Sequence, residues 1–303
     1  MTEDARAQDA AAWSDFWARN TASGANGCLP ERWAAIEEAQ KQAWYGFIAD
    51  LPEGARVLDL ATGDGRVLRW MREARPDLVL EGIDLAPDLP PAPEGTKIQG
   101  GVEMEFLPFD DSSFDAVVSQ FGFEYGDTSA TAAEIVRVLK PGGAAGLMVH
   151  RGDGPILEHN LARQTEIGWV LDEVNAADAV RKALNTPGAG AGVAAQVAAA
   201  LAILGEAKFG SSSPAWEIPE ALRRACIMGE KDGLQSVEAT ITAITDQAAN
   251  EIGRIRSLSG ACGTADNRPA LIAVFGVHGM GLRETTEVRE PSGRALADFL
   301  LLG

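Results

Sequence analysis

Between Arg56 and His150, short apolar runs alternate with stretches of helical spacing, and this alternation constrains the chain more than any other feature. Val57-Leu58-Asp59-Leu60-Ala61 is an apolar run ending in the turn Thr62-Gly63-Asp64-Gly65, after which Val67, Leu68, Trp70 and Met71 recur at helical intervals. A second strand is expected over Leu78–Leu85, a loop over the Pro-rich 87–93, a third strand over Thr96–Gly100 and a fourth over Phe114–Phe121. Thr131–Lys140 reads as a helix stopped by Pro141-Gly142-Gly143, and Ala144–His150 as a fifth strand. Strands that alternate with helices imply a parallel sheet with right-handed crossovers.

The flanks read differently. Residues 1–50 are expected to be helical, with Trp13, Phe16 and Trp17 on one face, a loop over Gly24–Pro30, and a second helix entered at Pro30 that carries Trp33, Ile36, Ala43, Trp44 and Phe47. Residues 155–262 read almost entirely as helix, with breaks near Pro187, Gly210–Pro214 and Gly233. Arg268–Val277 is another helix, and Leu282–Arg289 and Arg294–Leu302 form a hairpin about Pro291-Ser292-Gly293. The expected fold class is α/β, a doubly wound, mostly parallel seven-stranded sheet with an antiparallel edge strand and a large helical insertion. The expected divisions are an N-terminal helical lid at 1–50, an α/β core at 51–152, the insertion at 153–264, and a C-terminal helix and edge hairpin at 265–303.

Asp and Glu total 44 against 26 Lys and Arg, a formal charge of −18 that repels phosphate backbones and argues against a nucleic-acid partner. Three cysteines, Cys28, Cys226 and Cys262, lie far apart without CxxC spacing, which argues against a disulfide framework or a zinc cluster. Met1–Asp9 is charged and polar, with no basic segment leading into an apolar one, so no secretory leader is expected and a cytoplasmic location follows. Gly188–Gly205 is uncharged and rich in Ala, but its glycines and Gln196 favour a packed helix over a membrane span.

The chemistry starts at the first strand–turn–helix. Gly63 and Gly65 allow a ligand to approach the backbone, and the helix that follows presents its positive end there. A dinucleotide fingerprint would need a third glycine where Leu68 stands, and Asp64 between the two glycines would repel a pyrophosphate. An NAD(P)-dependent oxidoreductase is therefore a weaker reading, and a cationic ligand a better one. Asp84 ends the second strand about twenty residues on, where an acid can bind both hydroxyls of a ribose. His159 and His278 have no convergent partners in the sequence, so no metal is expected.

The pieces VLDLATGDG, GIDLAP, VEMEFLPFDDSSFDAVVSQF and RVLKPGG, in that order and spacing across about residues 55–150, resemble class I S-adenosylmethionine (AdoMet)-dependent methyltransferases. The resemblance is closest to the type 11 branch that includes the quinone-biosynthesis methyltransferases. It implies AdoMet as cofactor, S-adenosylhomocysteine (AdoHcy) as product, and methyl transfer to a small-molecule acceptor. It also implies that Asp59 braces the turn, that the backbone at Ala61 and Gly63 lines the methionine and ribose with Asp64 and Gly65 completing the turn, and that Asp84 binds the ribose hydroxyls. Leu85 would pack on adenine, Glu103 accept from its amino group, and Met104 lie beside the ring. Gln120, through its carbonyl, and Phe121 would flank the amino-acid end of the cofactor. The family's motifs carry glycine where Ala61 stands and Asp where Glu103 stands.

His150 ends the fifth strand on the rim of the turn and is the candidate base, which favours an oxygen or nitrogen acceptor over carbon. Glu124 and Tyr125 are candidate substrate contacts, and Trp13 and Trp17 a candidate lid over the cofactor. The insertion is expected to supply a substrate chamber or the contact of a homodimer. The rival reading from a different class is a non-catalytic subunit that binds AdoMet or AdoHcy.

Overall fold

The computed structural model describes residues 13, 14, 16, 17, 34–188, 190–229 and 233–303. The loop expected at Gly24–Pro30, the helix entrance at Pro30, Trp33 and Cys28 lie outside the described residues. The chain divides into two units, Met1–Leu157 with Ser257–Gly303, and Glu158–Arg256.

The first unit is built on one sheet of seven strands. In chain order its elements are α1 (Ala34–Ala49), β1 (Arg56–Leu60), α2 (Arg66–Ala74), β2 (Val79–Ile83), β3 (Thr96–Gln99), β4 (Phe114–Gln120), α3 (Thr128–Val138) and β5 (Leu139–His150). The strand order is β3-β2-β1-β4-β5-β7-β6, with β6 (Leu282–Arg289) and β7 (Ala295–Leu302) supplied by the C-terminal hairpin. β1 to β5 pair in parallel, and β7 runs antiparallel to both β5 and β6. The order turns back on itself at β1 and β4, so the carboxyl ends of these strands open onto the crevice where doubly wound sheets bind their ligands.

Strands covered on both faces read as near-continuous apolar runs, and β1 and β4 do so over most of their length, with Asp59 the polar exception inside β1. Val57, Leu58, Leu60, Ala116, Val117 and Val118 are all fully buried. On one face Trp44, Ile48, Trp70 and Met71 pack with Val57, Val118 and Met148. On the other, Ile135, Val138, Leu271 and Phe275 pack with Leu58, Val117, Leu147 and Val149. Helix α3 is capped by Asp127, whose carboxylate accepts from the backbone N–H groups of Ser129 and Ala130, both at 3.0 Å.

The expected helix end at Lys140 is corrected to Val138, since Leu139 is already extended at φ −70° and ψ 136°. Lys140 precedes Pro141, whose ring disfavours helical backbone at the residue before it. The strand then bulges, Phe114 pairing with Leu139 and Ala116 with Ala144.

The second unit is helical. It takes in most of α4 (Pro155–Gly168), α5 (Ala176–Leu184), α6 (Gly190–Phe209), α7 (Pro214–Gly229) and most of α8 (Leu234–Asp266). α9 (Arg268–Gly276) belongs to the first unit. One break was not expected from the sequence. A single wide turn at Trp169–Glu173 ends at Asn175, which sits at φ 51° and redirects the chain into α5. Among the described residues, α6 is the one helix long and apolar enough to cross a membrane by length and composition. It packs on α7 through Ala194, Ala198, Ala202 and Gly205, so closely that a Cβ on Gly205 would stand 1.9 Å from the Ala215 carbonyl oxygen.

Candidate active site

The turn after β1 is held from below and from the side. Ala61, Gly63 and Gly65 all take left-handed backbone, at φ 56°, 55° and 69°. The Thr62 N–H donates to the Ile83 carbonyl at 2.9 Å, and its hydroxyl donates to Asp59 Oδ2 at 2.6 Å. The Gly63 N–H donates to Asp84 Oδ2 at 2.9 Å, and the Ala86 N–H to the other oxygen of Asp84, also at 2.9 Å. Asp84 therefore ties the tip of β2 to the turn of β1, a partnership between residues 21 apart in the chain. Each carboxylate oxygen carries two lone pairs, so one acceptor position on each remains for a ligand hydroxyl.

Three carboxyl groups crowd this turn. Burial pushes Asp59 up to about 8, against the Thr62 hydrogen bond, and the charges of Asp84 and Asp64 push it the same way. Burial also raises Asp84, against its two backbone donors. Asp64 is drawn to Arg66, 3.6 Å away, and accepts from the Arg66 N–H at 3.1 Å. A cation brought to such a turn favours the ionised carboxylates and is stabilised by them, whereas an anion would be repelled.

The turn is covered by aromatic residues. A Cβ on Gly63 would lie 2.3 Å from the six-membered ring of Trp17. Trp17 meets Phe16 edge-on at a centroid distance of 5.0 Å, Phe16 meets Trp13 at 5.6 Å, and Trp13 meets Tyr125 at 6.3 Å. Leu85, Glu103 and Met104 are half-buried, and the Glu103 carbonyl accepts from the Phe106 N–H at 3.1 Å.

A second group gathers where β4 and β5 end. The side chain of Gln120 accepts from Trp44 Nε1 at 2.6 Å and donates to Gln40 at 3.2 Å, so it is tied to α1. Phe121 leaves the strand at φ 58° and stacks on the His150 ring at a centroid distance of 4.2 Å. Glu124, expected as a substrate contact, is placed otherwise. Its side chain is 0 % exposed, and Oε1 accepts from the backbone N–H of His150 and lies at hydrogen-bond distance from the ring Nδ1. A carboxylate closed off by the protein cannot reach an incoming molecule, so its role is corrected to that of a support for His150. Tyr125 stays half-buried, edge-on to the same ring at 5.9 Å.

Sequence reasoning treated Thr62 only as a turn residue. The signal was there: a hydroxyl three residues after a buried acid, across a tight turn, is within reach of it. Ser119 was also missed. Its hydroxyl donates to the Leu60 carbonyl at 3.0 Å and accepts from the Phe123 N–H at 3.1 Å, joining β1 to the exit of β4. Among the described residues no cluster of three or more His, Cys, Asp or Glu side chains is placed to hold a metal ion. Two cavities, of about 340 and 360 Å³, lie within the helical unit.

Comparison with known proteins bears on this turn directly. A family model described as a methyltransferase domain, of type 11, matches residues 58–147, which run from β1 to the middle of β5. The α/β core belongs to the class I methyltransferases of type 11. A demethylmenaquinone methyltransferase of Thermus thermophilus is 38% identical over 96 residues, 29% of this chain and 44% of that protein. A ubiquinone/menaquinone biosynthesis C-methyltransferase of Geobacter sulfurreducens is 38% identical over 104 residues, 31% of this chain and 41% of that protein. An uncharacterised protein of Mycobacterium tuberculosis is 33% identical over 108 residues, 33% of this chain and 39% of that protein. The chain spans less than half the length of each of these relatives. Within this methyltransferase core, Ala61 holds a left-handed conformation that glycine adopts without strain and that costs an alanine about 1 kcal/mol.

Proposed function

We propose that this protein is an AdoMet-dependent methyltransferase acting on a small-molecule acceptor, with oxygen or nitrogen favoured over carbon as the atom methylated. The observation that carries the reading is the bond from the Gly63 N–H to Asp84, which ties the turn after β1 to the tip of β2 in a nest of buried carboxyl groups. That arrangement fits a nucleoside whose ribose meets an acid and whose other end is a cation. AdoMet, when bound, supplies a methyl group already activated on a sulfonium, so the protein need only align the acceptor, exclude water and take a proton.

The chain's residues divide that work. The open lone pairs of Asp84 accept from the ribose hydroxyls, and Glu103 accepts from the adenine amino group between Leu85 and Met104. Asp59 braces the turn through Thr62, and the backbone of Ala61, Gly63 and Gly65 follows the methionine chain beside Asp64. Gln120 offers its carbonyl and Phe121 its ring at the amino-acid end. Trp13 and Trp17 close over the ligand, Tyr125 flanks the acceptor, and His150 receives its proton. The charge of −18 disfavours nucleic acid as substrate. A cytoplasmic protein that pairs as a homodimer through the helical unit fits the same reading.

Titration calorimetry with AdoMet, AdoHcy and NADH, followed by transfer of a tritiated methyl group to candidate acceptors, tests it. Binding of AdoMet and AdoHcy but not NADH, with transfer of label, is the expected result. Binding without transfer to any acceptor would make the protein a non-catalytic AdoMet-binding subunit. Heat with NADH alone would make it an oxidoreductase.

A further inference from the structure

Glu124 supports His150 from a costly position. Its side chain is wholly enclosed, Oε1 makes two hydrogen bonds, and Oε2 is buried with no hydrogen-bond partner among the described residues. A buried carboxylate with one oxygen unserved is unfavourable by kilocalories, and a structural histidine would be held as well by a neutral amide. An acid at this position needs a further reason, and the geometry around His150 supplies one.

One oxygen of Glu124 holds His150 at two points, the ring Nδ1 at 2.8 Å and the main-chain N–H at 2.9 Å. Held through both its backbone and its side chain, the ring has little freedom to turn. An ionised carboxylate only accepts, so the ring proton belongs on Nδ1 and the lone pair on Nε2. Nε2 has no hydrogen-bond partner among the described residues. The ring lies against Phe121 at 29° and meets Tyr125 at 70°, with Trp13 beyond Tyr125. The thiol of Cys262 also feels Glu124, and burial with the charges of Glu124 and Asp266 pushes it up to about 12. It stays neutral and does not compete for the proton.

We infer that Glu124 and His150 form a proton-accepting dyad for a hydroxyl group carried on an aromatic acceptor, with Nε2 of His150 as the base and Glu124 as the residue that positions it and steadies its charge. The inference rests on the methyl-transfer reading above. A phenolic hydroxyl, with a pKa near ~10 like that of tyrosine, is within reach of an imidazole. The rings of Phe121, Tyr125 and Trp13 are half-buried and offer aromatic faces and edges to a planar molecule. As the acceptor oxygen bonds to the methyl carbon, the S–CH₃ bond breaks and its electron pair stays on sulfur. The hydroxyl proton passes to Nε2, and the imidazolium releases it to solvent.

Two measurements test the dyad. The chain has 3 histidines, so ring ¹⁵N spectra of the wild-type protein, with H150Q to assign the signal, read the tautomer directly. A proton on Nδ1 is expected, and one on Nε2 would overturn the inference. Rates are then compared on 2-naphthol, which must lose its proton, and on 2-naphthalenethiol, which is largely ionised near neutral pH. E124Q keeps the shape and loses the charge. It is expected to lower kcat on the naphthol by about 10²-fold, and H150Q by about 10²–10⁴-fold. Both should lower kcat on the thiol at least about tenfold less than on the naphthol, with AdoHcy still bound. Equal losses on both probes, methylation of a ring carbon in place of oxygen, or AdoHcy binding with turnover of neither probe would each overturn the dyad. Absence of AdoHcy binding would instead remove the methyltransferase reading itself.

Discussion

Asp59 lies in the middle of the sheet on β1, 1 % exposed, where water cannot stabilise its charge. Its folded pKa of about 8 stands above the ordinary 3.8. Between those values the unfolded chain has released a proton that the folded chain keeps. Unfolding then releases a proton, and stability falls as pH rises through the window. Asp84 is raised by burial as well and adds to the same slope. D59N removes one of the two contributions and retains an acceptor for the Thr62 hydroxyl. Relative to wild type, D59N is expected to gain at least ~1.4 kcal/mol of stability on going from pH 5 to pH 8, a tenfold change in the folding constant. Urea denaturation at the two pH values measures it, and parallel losses in both proteins would show that Asp59 is ionised throughout.

At the scale of elements, the decisive contact is between the turn that follows β1 and the exit from β4. A Cβ on Gly122 would stand 2.4 Å from the Cβ of Ala61 and 2.9 Å from the Ser119 hydroxyl. The backbone of Gly122, at φ −131°, is not left-handed, so the case for glycine here is made by space. G122A is expected to cost ~1–3 kcal/mol, the usual penalty for overpacking. A61G removes one of the two colliding atoms, so A61G/G122A should recover part of that loss, with a coupling of at least ~0.5 kcal/mol in a thermal-denaturation cycle. Additive effects would mean the two elements do not touch. The strand–helix alternation and the C-terminal hairpin were legible in the sequence because period and turn chemistry are local. So were the turn residues from Asp59 to Gly65 and the acid at Asp84. The break at Asn175 was not, since it depends on one residue entering left-handed backbone, although Asn is one of the few side chains that does so readily. Nor was the bond between Glu124 and His150, which joins positions 26 apart that pattern reading takes one at a time. The left-handed Phe121 left no local signal at all, because tertiary packing imposes it.

For the molecule as a whole, the large term is charge. A chain of net −18 sets up a negative potential that reaches well beyond its surface, and the carboxyl groups of Asp64 and Asp84 stand at the crevice itself. AdoMet carries a sulfonium and an ammonium against one carboxylate, a net charge of about +1, and AdoHcy is a neutral zwitterion, as the usual side-chain and terminal pKa values require. The two ligands differ by one methyl group and one charge, so they separate long-range steering from contact. The Debye length shrinks from about 30 Å at ~0.01 M salt to about 8 Å at ~0.15 M. Over that range the association rate of AdoMet is expected to fall by about tenfold and that of AdoHcy to stay nearly constant. Trp17, seated over Gly63, supplies the signal for stopped-flow fluorescence. A common salt dependence would mean that the field at the crevice is already neutralised, and that the preference for a cation arises only in contact with the turn.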